Sequence, residues 1–170
     1  KALGLIIVVA LLAAALPLQV KAATLCVNPT GSDGCYALIQ DAIDAASDGD
    51  TINVAPGTYV ENVVVNKAIT LQGAGSENTT IVATDGNATP LTFNTNGATV
   101  LGFHLTHNYT PNELGDWNFK NNGVAFYQPG NTLSDCKVTK NRNGIYINNA
   151  QGNIIRDNTI ENNRTGLNLT

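Results

Sequence analysis

Apolar and polar residues alternate in short bursts along this chain, and the bursts recur at matching positions. GNTLSDCKVTKNRNG (130–144) aligns without gaps on GNIIRDNTIENNRTG (152–166) at a shift of 22. GATVLGFHLTHN (97–108) aligns on 130–141 at a shift of 33, which is 22 plus an insertion of 11. Within each copy, alternation puts Phe103 and Leu105, then Cys136 and Val138, then Ile160 on one side of an extended strand. A second burst follows in each: GVAF (123–126), GIYI (144–147) and GLNL (166–169), with Val124/Phe126, Ile145/Ile147 and Leu167/Leu169 facing inward. Units this short cannot bury their apolar side alone, so they must stack. The period is too short for helical repeats and lacks a 3.6-residue pattern. The expectation is an all-β parallel β-helix of about 22 residues per coil. Asn108, Asn141 and Asn163 fall between the two bursts, where stacking at about 4.8 Å would let their amides hydrogen-bond in a column.

The repeat fixes the reading of the remaining chain. Thr24–Val27 is a first strand, and a helix over 36–47 has one apolar side made by Leu38, Ile39, Ala42, Ile43 and Ala46. Residues 23–50 thus form an N-terminal cap that covers the open end of the coils at 51–170. Ile52/Val54, Val63/Val65 and Ile69/Leu71 alternate as strands, with Pro56-Gly57 and 73–75 as turns. YTPNELGDWNFKN (109–121) interrupts the repeat directly after Asn108 and must bulge from a corner of the coil. The chain has no Met and stops within a repeat, so it reads as a piece of a longer protein.

Composition adds compartment and partner. Residues 1–22 pair Lys1 with an apolar run ending at Pro17 and a Val20-Lys21-Ala22 cleavage pattern, the features of a secretory signal. That run is shorter than the roughly 20 residues needed to span a bilayer. Removing Lys1 and Lys21 leaves 7 basic against 13 acidic residues, a net of −6. This argues against a nucleic-acid partner, and no membrane association is expected after signal cleavage. Cys26 and Cys35 bracket a turn-forming loop in an oxidising compartment and are expected to form a disulfide. Cys136 faces inward as a small apolar residue.

The run from Ile39 to Gly75, IQDAIDAASDGDTINVAPGTYVENVVVNKAITLQGAG, resembles the opening of right-handed parallel β-helix proteins of the pectin-lyase-like superfamily. It is similar to the start of pectin methylesterases. It is closer still to the Asn/Gly-repeat carbohydrate-binding and sugar-hydrolysis domains, including NosD-like periplasmic proteins. The resemblance implies an exported β-helix and catalytic groups, where present, on the exterior of one sheet. Enzymes and non-enzymes share this opening. The polygalacturonase-type NTD and GHG runs and the methylesterase-type QDT and DFIFG runs do not occur in this chain.

Two places could carry chemistry. Stacking places Gly102, Asp135 and Asp157 in one outward column, His104, Lys137 and Thr159 in the next, and Thr106, Thr139 and Glu161 in a third. Asp135, Asp157 and Glu161 are therefore candidate acid–base groups, because carboxylates on adjacent coils perturb one another and glycosidases use such pairs. Asp135 and Asp157 could also share a Ca²⁺ as hard oxygen ligands; no other cofactor is implied. The second place is the 109–121 insertion, which holds the single Trp117 with Tyr109, Phe119, Glu113 and Asp116. Flat aromatic rings beside acceptors suit a sugar ring and its hydroxyls. With His104 and Lys137 these are the candidate ligand contacts. His104 and His107 share a strand but do not make a multi-His site, so copper handling of the NosD type has little support in these residues. The expected role is a secreted or cell-surface module, extracellular or periplasmic, that binds or scaffolds polysaccharide. A lyase, hydrolase or esterase using the acidic side, and a purely structural stalk, are the alternatives.

Overall fold

The computed structural model describes residues 21–108 and 121–170. The expected signal at 1–22 therefore falls almost wholly outside the described residues, as does the insertion up to residue 120. Six rungs stack along one axis. The first contributes β1 (Thr24–Val27). The second contains β2 (Thr51–Val54), β3 (Gly57–Val60) and β4 (Val63–Val65), and the third β5 (Thr70–Gly73), β6 (Thr79–Ala83) and β7 (Leu91–Phe93). The fourth contains β8 (Thr99–Leu101), β9 (His104–His107) and β10 (Asn122–Phe126). The fifth contains β11 (Thr132–Ser134), β12 (Lys137–Val138) and β13 (Asn143–Ile147), and the sixth β14 (Ile154–Arg156), β15 (Thr159–Ile160) and β16 (Thr165–Leu169). Successive rungs pair in parallel to give three sheets: A (β1-β2-β5-β8-β11-β14), B (β3-β6-β9-β12-β15) and C (β4-β7-β10-β13-β16).

The register bears out the aligned repeats. Thr99 lies beside Thr132 and Thr132 beside Ile154, which are the shifts of 33 and 22. Earlier rungs step by other lengths, Thr51 to Thr70 being 19 and Thr70 to Thr99 being 29. The turns absorb most of the difference, so a bare 22-residue step joins only the fifth and sixth rungs. Like residues stack inside: Ile52, Leu71, Val100 and Leu133 in sheet A, and Ile81, Leu105 and Val138 in sheet B, all buried. In sheet C the rings of Phe93 and Phe126 stack at 4.4 Å. Leu167 and Leu169 occupy the same inward positions of the sixth rung, beside Ile145 and Ile147.

The cap is built from polar groups as much as apolar ones. Cys26 and Cys35 form a disulfide with their Cα atoms 4.8 Å apart. The helix α1 (Ile39–Ala45) is shorter than the 36–47 expected. Tyr36 is taken by an extended bridge to Val27, donating its N–H to the Cys26 carbonyl. At the other end Ser47 donates its N–H to Asp50, which pulls the chain out of the helix. The helix N-terminus is capped from the second rung, where both Glu61 carboxylate oxygens accept from the N–H groups of Ile39 and Gln40 at 2.9 and 3.0 Å. Its last carbonyls receive Lys67, whose Nζ donates to the oxygens of Asp44 and Ala46. The Gln40 amide pairs with both backbone groups of Val64, accepting from its N–H at 2.9 Å and donating to its carbonyl at 3.3 Å. A side chain thus completes the edge of sheet C.

Candidate functional site

Sheets A and B meet at a corner two residues long in the second, fourth, fifth and sixth rungs. Gly102, Asp135 and Asp157 take it in turn with φ of 78°, 54° and 57°. That left-handed conformation is open to glycine and, among other residues, tolerated best by Asp and Asn. The two aspartates therefore stand in a turn rather than at outward strand positions. They do stack on successive rungs, since Ser134 pairs with Arg156 and Lys137 with Thr159. Both are exposed, and Asp157 holds Arg156 at 2.8 Å. The expected single face of His104, Asp135, Lys137, Asp157 and Glu161 is thus divided by backbone conformation: the aspartates occupy the corner and the other three the outside of sheet B. Cys136, next in the corner, is buried, and burial raises its thiol pKa to about 12. It is the inert apolar residue expected.

On the outside of sheet B, Lys137 stacks between His104 and Thr159. Its Nζ lies 3.5 Å from Glu161 and 3.7 Å from Glu77, a partner that the repeat alignment does not include. His104 Nε2 meets Thr139 Oγ1 at 2.8 Å, and that hydroxyl donates onward to Thr106 Oγ1 at 3.1 Å. The pKa of His104 is lowered, first by burial and next by Lys137. A neutral imidazole between threonines and a lysine shared by two glutamates make a self-satisfied surface.

At the corner between sheets B and C the amides do form a column. Asn163 Oδ1 accepts from both the backbone N–H and Nδ2 of Asn141, each at 2.9 Å, and Asn163 Nδ2 donates to the Val138 carbonyl at 2.8 Å. Asn108 is exposed, and the side chain that meets Asn141 from the fourth rung is His107, with Nδ1 2.6 Å from Asn141 Oδ1. The insertion displaces the corner by one residue in that rung. Gly144 is required below it, because a Cβ there would lie 2.6 Å from Ile160 Cγ2, 2.7 Å from the Gly166 carbonyl and 3.0 Å from Asn163 Nδ2. A second amide column joins Asn131, which accepts from the Ala98 N–H, to Asn153, which accepts from the Asn131 N–H, each at 2.8 Å.

The outside of sheet C carries a feature that the sequence reading overlooked. Asn122, Arg142, Asn143, Tyr146 and Asn168 line a shallow groove of about 360 Å³. Asn143 donates to Asn122 at 2.8 Å across the rungs, and Tyr127 approaches Tyr146 edge-on with ring centroids 6.2 Å apart. The Tyr146 hydroxyl accepts from Thr170 at 3.1 Å. The groove therefore presents a phenol ring, four amide or guanidinium groups and no carboxylate. The alternation that turned Ile145 and Ile147 inward also turned Tyr146 outward, so it could have been found from the sequence. The other candidate contacts, Tyr109, Glu113, Asp116, Trp117 and Phe119, lie outside the described residues.

The family model described as periplasmic copper-binding protein (NosD) matches residues 43–170. The chain belongs to the NosD family. The match begins within helix α1 and runs through the second to sixth rungs. A cell surface glycoprotein of Methanothermus fervidus is 30% identical over 129 residues, covering 75% of this chain and 16% of that protein. The chain thus spans a small part of the relative it matches. Among solved structures, the pectin methylesterase PemA of Erwinia chrysanthemi superposes with a TM-score of 0.51 at 16% identity, covering 74% of this chain and 54% of that one. A pectin methylesterase of Aspergillus niger gives 0.49 at 20% identity, covering 78% and 56%. The former likeness shows the fold, a right-handed parallel β-helix. An extracellular or cell-surface location agrees with the family, with the surface relative and with the disulfide. Among the described residues no helix is long and apolar enough to cross a membrane.

The NosD description raises copper, whose preferred ligands are imidazole, thiolate and thioether. This chain contains no Met and two His. Both ring nitrogens of His107 are engaged, His104 has its Nε2 on Thr139, and the Cys136 thiol is buried and protonated. These residues do not fit a copper ion. Among the described residues no group of three or more His, Cys, Asp or Glu is placed to hold a metal, and Asp135 with Asp157 offers two carboxylates.

Proposed function

We propose that this chain is a polysaccharide-binding module of an exported cell-surface protein, and that it binds along the outer side of sheet C. The observation that carries this reading is the groove of Asn122, Arg142, Asn143, Tyr146 and Asn168. Its size lies at the lower end of the range for ligand sites, roughly 300–1,000 Å³. A sugar ring has apolar C–H faces and a rim of hydroxyls. The Tyr146 ring offers the first a flat partner and the amides and guanidinium offer the second both donors and acceptors. A shallow, elongated surface across three rungs suits a chain of sugars more than one small molecule. The insertion containing Trp117 ends where Asn122 begins in sequence, so its aromatic residues are candidates for the same ligand.

The test is retention on immobilised or gel-embedded polysaccharides, neutral and acidic, compared between the native chain and Tyr146→Ala. An aromatic contact of about 0.5–1.5 kcal/mol converts to roughly a 2- to 12-fold loss of affinity. Equal retention of the two proteins, or no retention of either on any polysaccharide, would remove the groove as the site.

A further inference from the structure

We infer that hydrolysis between Ala22 and Ala23 is the maturation step of this chain, and that the α-ammonium it creates on Ala23 is the counter-ion of the buried Asp50 carboxylate. Two independent observations meet at one bond. In the sequence, Val20-Lys21-Ala22 is the cleavage pattern that closes the expected signal, so the bond to be cut precedes Ala23. In the structure, the Ala23 nitrogen lies 2.6 Å from Asp50 Oδ1, a residue 27 positions further along the chain. Residues 21–23 are exposed and precede the first strand, where a peptidase can reach them.

Asp50 is placed to receive a cation, and among the described residues none reaches it. It is 6% exposed. Its Oδ2 accepts the Ser47 N–H at 2.7 Å, and its Oδ1 accepts the Ala23 N–H. These two N–H groups, Ser47 before Ala23, hold the carboxyl below its ordinary pKa, so it is ionised at neutral pH. Among the described residues no Lys, Arg or His lies within ion-pair distance of it. Lys67 acts on it only through space, since its Nζ donates to the Asp44 and Ala46 carbonyls. The neighbouring acid, Asp48, accepts from the Ala68 N–H. A buried carboxylate without a countercharge is costly, and a partner close by relieves that cost.

Both partners are held without help from residues 1–22. The Ala23 carbonyl accepts the Thr51 N–H at 2.9 Å, which continues the pairing of Thr24 with Thr51 in sheet A. Asp50 donates its N–H to the Ser47 carbonyl at 3.1 Å, and its own carbonyl accepts the Thr70 N–H at 2.9 Å. Removing the preceding residues therefore leaves the Ala23 nitrogen where it is. Hydrolysis by a signal peptidase adds water across the bond: the hydroxyl joins the Ala22 carbonyl and the hydrogen goes to the Ala23 nitrogen, which takes a further proton from solvent. A neutral amide with one N–H becomes a cation with three, and the contact becomes a charge-assisted bond. β1 is the terminal strand of sheet A, so two links hold the cap there, the Cys26–Cys35 disulfide and the new ion pair. Maturation thus tightens the cap after export, independently of any ligand on sheet C.

The exported protein tests this as it stands. N-terminal sequencing should read Ala23, Thr24, Leu25. Acylation of the α-amine, followed by mass spectrometry of the N-terminal peptide, should be roughly threefold or more slower in the folded protein than in urea, because the ammonium must leave Asp50 to react. Asp50→Asn should restore the fast rate and leave the lysine rates unchanged. Acetylating Ala23 should lower the urea midpoint of the native protein and leave that of Asp50→Asn where it was, which isolates the pair from the Ser47 contact. A mature N-terminus at any other residue, or an Asp50→Asn variant that keeps the slow rate, would overturn the inference. Should Asp50→Asn fail to fold, the native protein decides: a urea midpoint unmoved by acetylation of Ala23 overturns it equally.

Discussion

The two corners of the lower rungs share a backbone device and differ in how far side chains link one rung to the next. Between sheets A and B the chain turns in two residues, with Gly102, Asp135 and Asp157 in the left-handed region. One amide, Asn158, joins two rungs there, accepting from the Cys136 N–H and donating to the Leu133 carbonyl. Between sheets B and C, Lys140 and Asn162 take the left-handed conformation, and Asn141 over Asn163, packed on Gly144, adds a ladder in which amide meets amide. The first corner is the more local of the two and the second the more collective. The difference teaches where change is tolerated. A local corner accepts any residue of suitable conformation, whereas the collective corner is rigid at its ladder and admits new chain beside it, as the 109–121 insertion shows.

The largest effect that would break this contrast is at Gly144. A methyl group there meets backbone and ladder atoms at 2.6–3.0 Å, so Gly144→Ala should cost about 3 kcal/mol by urea denaturation. Near-native stability would mean that the ladder yields easily. Asn141→Ala comes next, at about 2–3 kcal/mol, because it strands His107 Nδ1 and the Thr139 carbonyl in a buried place. Chemistry rather than stability separates the corners in the third case. With its thiol pKa raised to about 12 by burial, Cys136 is protonated at pH 8 in all but ~0.01% of molecules and loses that protection only near pH 12 or on unfolding. Native protein should resist iodoacetamide at pH 8 and react at once in denaturant. The smallest effect belongs to Asp135. Asp135→Gly should change stability by less than about 1 kcal/mol, while Asp135→Val should destabilise by about 1–2 kcal/mol because only the latter resists positive φ.

The repeat made the stacking legible, because alignment of 130–144 on 152–166 is a statement about register and the strands obey it. Inward residues followed from alternation for the same reason: Phe103, Leu105, Cys136 and Val138 are all buried. What the alignment could not convey was backbone conformation. Asp135 and Asp157 align with Gly102, and that glycine was itself the sign of a left-handed turn, yet the aspartates read as outward acids. The displaced corner at His107 was hidden by the insertion that follows it, since the register of a ladder is set by where the chain returns. The groove on sheet C was missed through attention to charge, because amides and a tyrosine carry no net signature in composition. Glu77 was hidden because its rung precedes the part of the chain where the period is strict.

The Gln40 amide has a consequence for assembly. A stack of parallel strands is a template, and a bare terminal strand invites another molecule to extend it into a fibre. By occupying the N–H and carbonyl of Val64, one glutamine removes the docking points that an incoming strand would use on that sheet. A protein working in crowded surroundings outside the cell is thereby kept from polymerising end to end through that edge, and a single amide does the guarding.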